Sequence, residues 1–223
     1  MSRYSLSAAT RDATKLEGSA DAKLELVHDQ VNIVVFGVIF ACAWSSMNDG
    51  WPGHLATTYF SLGYLVVDLG LAVGVPAMFK SPGPIIMHHL VTIALHLHPV
   101  LVEPAHAEYA SMALLVELNT LVLTLRRLLD YPLVLEAVFW ASWVLLRLVW
   151  FPCLAWGMMD SAYTPDGEYY PIPKFLSKTP RVGVCPKKVA WLFVALTGLQ
   201  FYTTFVLVRN AWRRRRGDPP KAD

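Results

Sequence analysis

The chain is short of charge. Asp, Glu, Lys and Arg make up 16% of its 223 residues, against about a quarter in an ordinary soluble domain. A formal net charge of +2 excludes the strongly basic surface that a nucleic-acid partner requires. Cysteine is scarce and scattered. Cys42, Cys153 and Cys185 show no Cys-x-x-Cys spacing, so neither a disulfide framework nor a structural zinc site is encoded. No Asn-x-Ser/Thr sequon occurs, so glycosylation has no bearing on sidedness. The first thirty residues lack the apolar core of a signal peptide, and Asp12, Glu17, Asp21, Glu25 and Asp29 count against a transit peptide. Residues 1–30 are therefore expected to form a flexible tail.

What is abundant is apolar. A hydrophobic content of 55% and a mean hydropathy of +0.40 place the chain among membrane proteins. A bilayer core of about 30 Å needs roughly 20 apolar residues per helix. Six segments meet that need, at 31–47, 57–79, 84–102, 107–127, 133–156 and 189–211. The first is short and the third polar, so five spans are the alternative. The breaks "NDGWPGH", "KSPG", "EPAH" and "LDYP" each combine Gly or Pro with a polar neighbour. The expected fold is all-α: a polytopic membrane protein of about six transmembrane helices, one domain over 31–212, with a basic tail at 213–223.

Basic residues set the orientation. Lys15, Lys23, Lys80, Arg126, Arg127 and the run Arg213 to Arg216 collect on one side, while "NDGWPGHLA" and "EPAHAEY" carry neither Lys nor Arg. The positive-inside rule then puts both tails in the cytosol, with the arginine run as a juxtamembrane stop. The loop 157–188, with Lys174, Lys178, Arg181, Lys187 and Lys188, runs against that pattern. Its Pro, Tyr and Gly content reads as an ordered, re-entrant or interfacial segment.

Ionisable groups inside hydrocarbon are costly, so each marks a candidate site facing the bundle interior. Span two carries Tyr64 and Asp68; span three carries His88, His89, Thr92, His96 and His98. Span four carries Glu117 and Asn119, span five Arg147, and span six Gln200. At about 1.5 Å per residue, Asp68, Glu117, Arg147 and Gln200 come out near mid-membrane. His96 falls slightly past it, and His88 and His89 lie shallower, on the tail side. Opposite charges at one depth should pair, so Arg147 is expected within hydrogen-bonding reach of Asp68 or Glu117, directly or through water. Such a pair can fix helix register, contact a substrate, or do both.

Successive helix positions differ by about 100°, so His88 and His89 splay across one broad face. Thr92 and His96 follow on the same side. His98 points elsewhere, near the far end of its span, and reads as an interfacial residue. His28, His54 and His106 fall outside the apolar core. Membrane di-iron enzymes need about eight ligands in His-x-x-x-His and His-x-x-His-His boxes. Seven histidines in the present spacing do not supply that set, so no metal is expected. A histidine nucleophile or general base acting on an acyl group in a lipid suits the residues better.

The runs "GYLVVDLGL", "IIMHHLVTIAL" and "LLVELNTLVLTLRRLL" resemble the TLC domain, whose members include the ceramide synthases. The resemblance extends over about 31 to 212 and is nearest to TLC-domain proteins of unassigned chemistry. It implies a six-helix bundle around a lipid-accommodating cavity, in the endoplasmic reticulum or a related endomembrane. It also implies that His88 and His89 take the place of the paired histidines required for N-acyl transfer, with Asp68 and Glu117 as orienting acids. Tyr64, Thr92, His96, Asn119, Arg147 and Gln200 would then line the substrate site. Acyl-CoA would be the co-substrate of an enzyme, and no resident cofactor is expected. The ceramide synthases carry a further His-Asp pair where this chain reads "LLVELNT", with Glu117 alone as a stand-in. Three functions follow as expectations. One is lipid homeostasis, by binding or regulating membrane, sphingoid or acyl lipids in the cavity. The others are lipid N- or O-acyl transfer, and a cargo-receptor or translocon-associated role.

Overall fold

The computed structural model of the chain describes residues 20–48, 50–79, 82–129, 132–163 and 185–216. Among them every regular element is helical. The order is α1 (Ala20–Ser46), α2 (His54–Gly74), α3 (Pro82–Leu101), α4 (Ala107–Leu114), α5 (Glu117–Leu128), α6 (Leu133–Ser142), α7 (Phe151–Tyr163) and α8 (Lys187–Arg216). Short 3₁₀ turns cover Pro76–Met78 and Pro104–His106, and a π-helical segment, Trp143–Trp150, joins α6 to α7. Six stretches are long and apolar enough to cross a membrane: Lys23–Ser46, His54–Gly74, Pro82–Leu101, Pro104–Leu128, Leu133–Tyr163 and Lys187–Asn210. Over the described residues the protein is thus an all-α polytopic bundle with six spans rather than five. Exposed Val66, Val67, Leu145, Trp156 and Phe205 give its outer surface the apolar character that lipid tails require.

Two boundaries differ from the sequence expectation. The first helix begins at Ala20, so residues 20–30 are helical rather than part of a tail. A buried stripe of Asp29, Asn32, Phe36, Ile39, Ala43 and Ser46, spaced at three and four residues, gives the helix an inward face from Asp29 onward. Arg127 Nη2 donates to Asp29 Oδ1 at 2.8 Å, tying the start of α1 to the end of α5. At the other terminus α8 runs through the arginine cluster to Arg216. The expectations for residues 1–19, 164–184 and 217–223 fall outside the described residues.

Span four is the axis of the bundle. Of its apolar window 61% is buried, against 17–33% for the other five. The remaining spans pack around it: α1 against α2 and α5, α2 against α3, α3 against α8, and α8 against α7. Span four is also interrupted. Val116 N–H donates to Ala113 O, Leu118 N–H to Leu115 O and Asn119 N–H to Val116 O, at 3.2, 3.3 and 2.9 Å. These tightened i→i+3 bonds separate α4 from α5 immediately before Glu117.

Three apolar clusters hold the bundle. The largest joins Leu95, Tyr109, Met112, Phe151, Leu154, Met158 and Phe193 from α3, α4, α7 and α8. A second joins Phe36, Ile39 and Ala43 of α1 to Leu114 and Leu115, and a third joins Val122 to Phe139 and Trp143. The polar site lies between them. Leu154 is 1% exposed, so Leu154→Ala should cost about 2–5 kcal/mol of stability. Thermal unfolding in detergent should show a clear drop in midpoint, while Val138→Ala on the lipid-facing surface should leave the midpoint near wild type.

Candidate functional site

Asp68 of α2 is 5% exposed and is clasped by two imidazoles. His28 Nε2 lies 2.7 Å from Asp68 Oδ1, and His89 Nε2 lies 2.5 Å from Asp68 Oδ2. A carboxylate accepts only, so both rings present Nε2–H to it. This fixes the His89 tautomer and leaves Nδ1 as a bare lone pair. That atom is buried without a partner. His28 completes a further chain: Tyr64 donates its hydroxyl to Asn32 Oδ1 at 3.0 Å, and Asn32 Nδ2 sits 3.3 Å from His28 Nδ1. The i to i+4 spacing of His28 and Asn32 on α1 puts both on the face turned toward Tyr64 and Asp68.

His89 borders a cavity of about 280 Å³ between the helices, whose walls include Tyr64, His88, Thr92, Glu117 and Arg147. His88 stands beside His89 with ring centroids 5.7 Å apart, and Thr92 anchors its own hydroxyl on His88 O at 2.7 Å. Both paired rings therefore face the cavity. Glu117 lies within electrostatic range of Arg147, His89 and Asp68.

Arg147 departs from the expectation of a direct bond to Asp68 or Glu117. Among the described residues no carboxylate stands within ion-pair distance of it. Its Nε donates to Asn119 Oδ1 at 2.8 Å, Nη1 to Gln200 Oε1 at 2.6 Å, and Nη2 to Thr120 Oγ1 at 2.8 Å. Its guanidinium carbon stands 4.9 Å from the Trp143 ring centroid. Three neutral oxygens and an aromatic face thus solvate the cation, with Glu117 as a nearby rather than bonded counter-charge. Asn119 is fully buried and uses its amide on Phe139 O and Ser142 Oγ, at 3.2 and 2.9 Å. Arg147 belongs to the π-helical segment, and π geometry at a polar site is a recurrent functional feature.

A smaller cavity of about 30 Å³ adjoins the first, sharing His88, Thr92, Glu117 and Gln200 as walls. His96 lines this smaller cavity rather than the floor of the large one. His98 and His106 also differ from expectation. Instead of standing at the interface and outside the core, they line the same small cavity, and His98 Nε2 approaches His106 Nδ1 to 2.9 Å. Pro99, buried within the last turn of α3, removes one helical N–H there.

Of the residues singled out in the sequence, Tyr64, His88, His89, Thr92, Glu117, Arg147 and Gln200 line the large cavity. Asp68 and Asn119 support them from behind, through His89 and Arg147. His28 is a site residue that the sequence does not flag, because it lies ahead of the apolar run that begins at residue 31. Its i to i+4 spacing from Asn32 is the one sequence feature that places it on the polar face of α1. Among the described residues no group of three His, Cys, Asp or Glu side chains is placed to hold a metal ion.

Replacing Arg147 by Leu strands the Asn119, Thr120 and Gln200 oxygens. Each orphaned buried acceptor costs about 1–3 kcal/mol, so detergent-extracted Arg147→Leu should lose most of its folded yield. Arg147→Lys, whose compact ammonium cannot span the same fork of acceptors, should recover part of it in size-exclusion profiles.

The family model of the TLC domain matches residues 30–213. No curated protein and no solved structure matches the chain. The match takes in the first span from residue 30 and the other five whole, with every side chain of the site described above except His28. The chain belongs to the TLC domain family of membrane proteins, whose functions are generally lipid-related.

Proposed function

We propose that the protein binds a lipid or its acyl donor in the large cavity and transfers an acyl group through His89. One observation carries this reading: Asp68 holds His89, a residue of the cavity lining, by Nε2–H and leaves its Nδ1 as a buried, unpartnered lone pair. A carboxylate that fixes the tautomer of an imidazole and stabilises its charged form is the arrangement by which hydrolases and acyltransferases activate a ring nitrogen. His28, on the other carboxylate oxygen, keeps Asp68 from swinging away.

In the reaction, Nδ1 attacks the carbonyl of a thioester donor such as acyl-CoA. The carbon–sulfur bond breaks and the thiolate departs. The acyl group then moves from nitrogen to a lipid hydroxyl or amine, whose proton ends on the thiolate. Glu117 and His88, on the cavity wall, are placed to take that proton in transit. Arg147, held on neutral acceptors, keeps a positive charge near the developing oxyanion. The mostly apolar lining suits an acyl chain.

A non-catalytic role in lipid homeostasis is the second reading. It is favoured by the stretch "LLVELNT", where the ceramide synthases carry a further His-Asp pair and this chain has only Glu117. Mass spectrometry of the purified protein separates the two. Acyl transfer requires an acyl mass on the peptide containing His89 after incubation with acyl-CoA, lost in His89→Ala and strongly reduced in Asp68→Asn. Co-purifying lipid with no adduct and no turnover would leave the binding role in its place.

The protein is further proposed to reside in the endoplasmic reticulum or a related endomembrane with both tails cytosolic. Arg126 and Arg127 end span four and the Arg213 to Arg216 run follows span six, which with six crossings fall on one side, and the short opposite loops lack Lys and Arg. In sealed microsomes, added protease should remove an epitope placed after Asp223. Protection of that epitope would reverse the orientation.

A further inference from the structure

The acyl chemistry leaves a second set of imidazoles unused. His96 is 2% exposed, and its Nδ1 lies 2.8 Å from Thr92 O. A carbonyl can only accept, so Nδ1 carries the proton and Nε2 is a lone pair, buried with no protein partner. A ring that served only to fill space here would be better replaced by Phe or Leu, which leave no orphaned nitrogen. Below it, His98 and His106 share one hydrogen bond, in which one ring must donate and the other accept. His106 stacks on Tyr109 with centroids 5.2 Å apart. Glu103, exposed at the end of the bundle, lies within electrostatic range of both His98 and His106.

We propose that these rings form a proton path through the bundle, joining Glu103 at one end to the His89–Asp68–His28 cluster at the other. The two cavities supply the continuity. They share His88, Thr92, Glu117 and Gln200 as walls, and the smaller, at about 30 Å³, has room for one or two waters. A proton leaves the His98–His106 pair through water, is taken up by His96 at Nε2 and passes from that atom through water to Glu117 or His88. From there it reaches His89 and Asp68 across the large cavity. Chains of Asp, Glu and His inside membrane bundles are the usual material of proton relays. The other charged or titratable groups nearby are Glu108 and Tyr109 of α4, Cys185 ahead of α8 and Arg147. Burial pushes the Cys185 thiol up to about 12, so it stays protonated. Arg147 opposes the entry of free hydronium at mid-path, and the neighbouring Glu117 carboxylate offsets it. Transfer is therefore from group to group rather than along an open water file.

The path needs no acyl chemistry and is tested without it. Full-length protein is reconstituted in phosphatidylcholine vesicles containing a pH-sensitive dye. A potassium gradient with valinomycin then drives protons inward. Wild type should acidify the lumen faster than protein-free vesicles, and His96→Leu should return the rate to that background. His98→Gln, at a half-buried position, should slow it strongly and serves where His96→Leu does not fold by thermal unfolding. A wild-type rate equal to that of protein-free vesicles, or an undiminished rate in the folded variants, overturns the proposal. His89→Ala, expected to lose the acyl adduct whatever the state of the path, keeps failure of one reading separate from failure of the other.

Discussion

A carboxylate within hydrocarbon must find donors inside the protein, because lipid supplies none. Asp68 finds them on two different helices, His28 of α1 and His89 of α3, and much of the site follows from that choice. It ties α1 to α2 at His28, ahead of the apolar run. It fixes one tautomer on His89 and turns the remaining lone pair away from the carboxylate. It also gathers Tyr64 and Asn32 into the same chain of bonds. Removing the carboxylate would loosen three helices at once.

Arg147 meets the same constraint by a different route. Its charge is spread over three neutral oxygens and an aromatic ring, which satisfies the guanidinium without consuming Glu117. The acid remains at the junction of the two cavities. Backbone irregularity accompanies this arrangement. The tightened turn between α4 and α5 precedes Glu117, the π-helical segment carries Arg147, and Pro99 sits in the last turn of α3. Each departure from regular helix falls beside a polar side chain that has to be aimed at the interior.

Much of the fold was legible in the chain. Apolar runs separated by Gly- and Pro-containing breaks mark the spans, since a bilayer admits little else; the short first run and the polar third are the two that needed the structure. The polar side chains within them were legible too, because each is an exception to an otherwise uniform rule, and seven of them do share one cavity. His28, His98 and His106 were misplaced. All three lie at span ends, where hydropathy changes gradually and a polar residue is unremarkable. Only the packing of α1 on α2, and of the Pro104–His106 turn on α3, turns them inward.

The sequence by itself determined the medium and the identity of the buried ionisable groups and narrowed the crossings to five or six, because these depend on composition summed over about 20 residues at a time. Which groups meet was decided only by the tertiary structure. Asp68 chose histidine over Arg147, and Arg147 chose amide and hydroxyl oxygens over Glu117. Pairing depends on the rotation of each helix about its own axis and on the local pitch of its backbone. An eight-residue π segment alters both, and no pattern of residue types along a single helix records where its neighbours will stand.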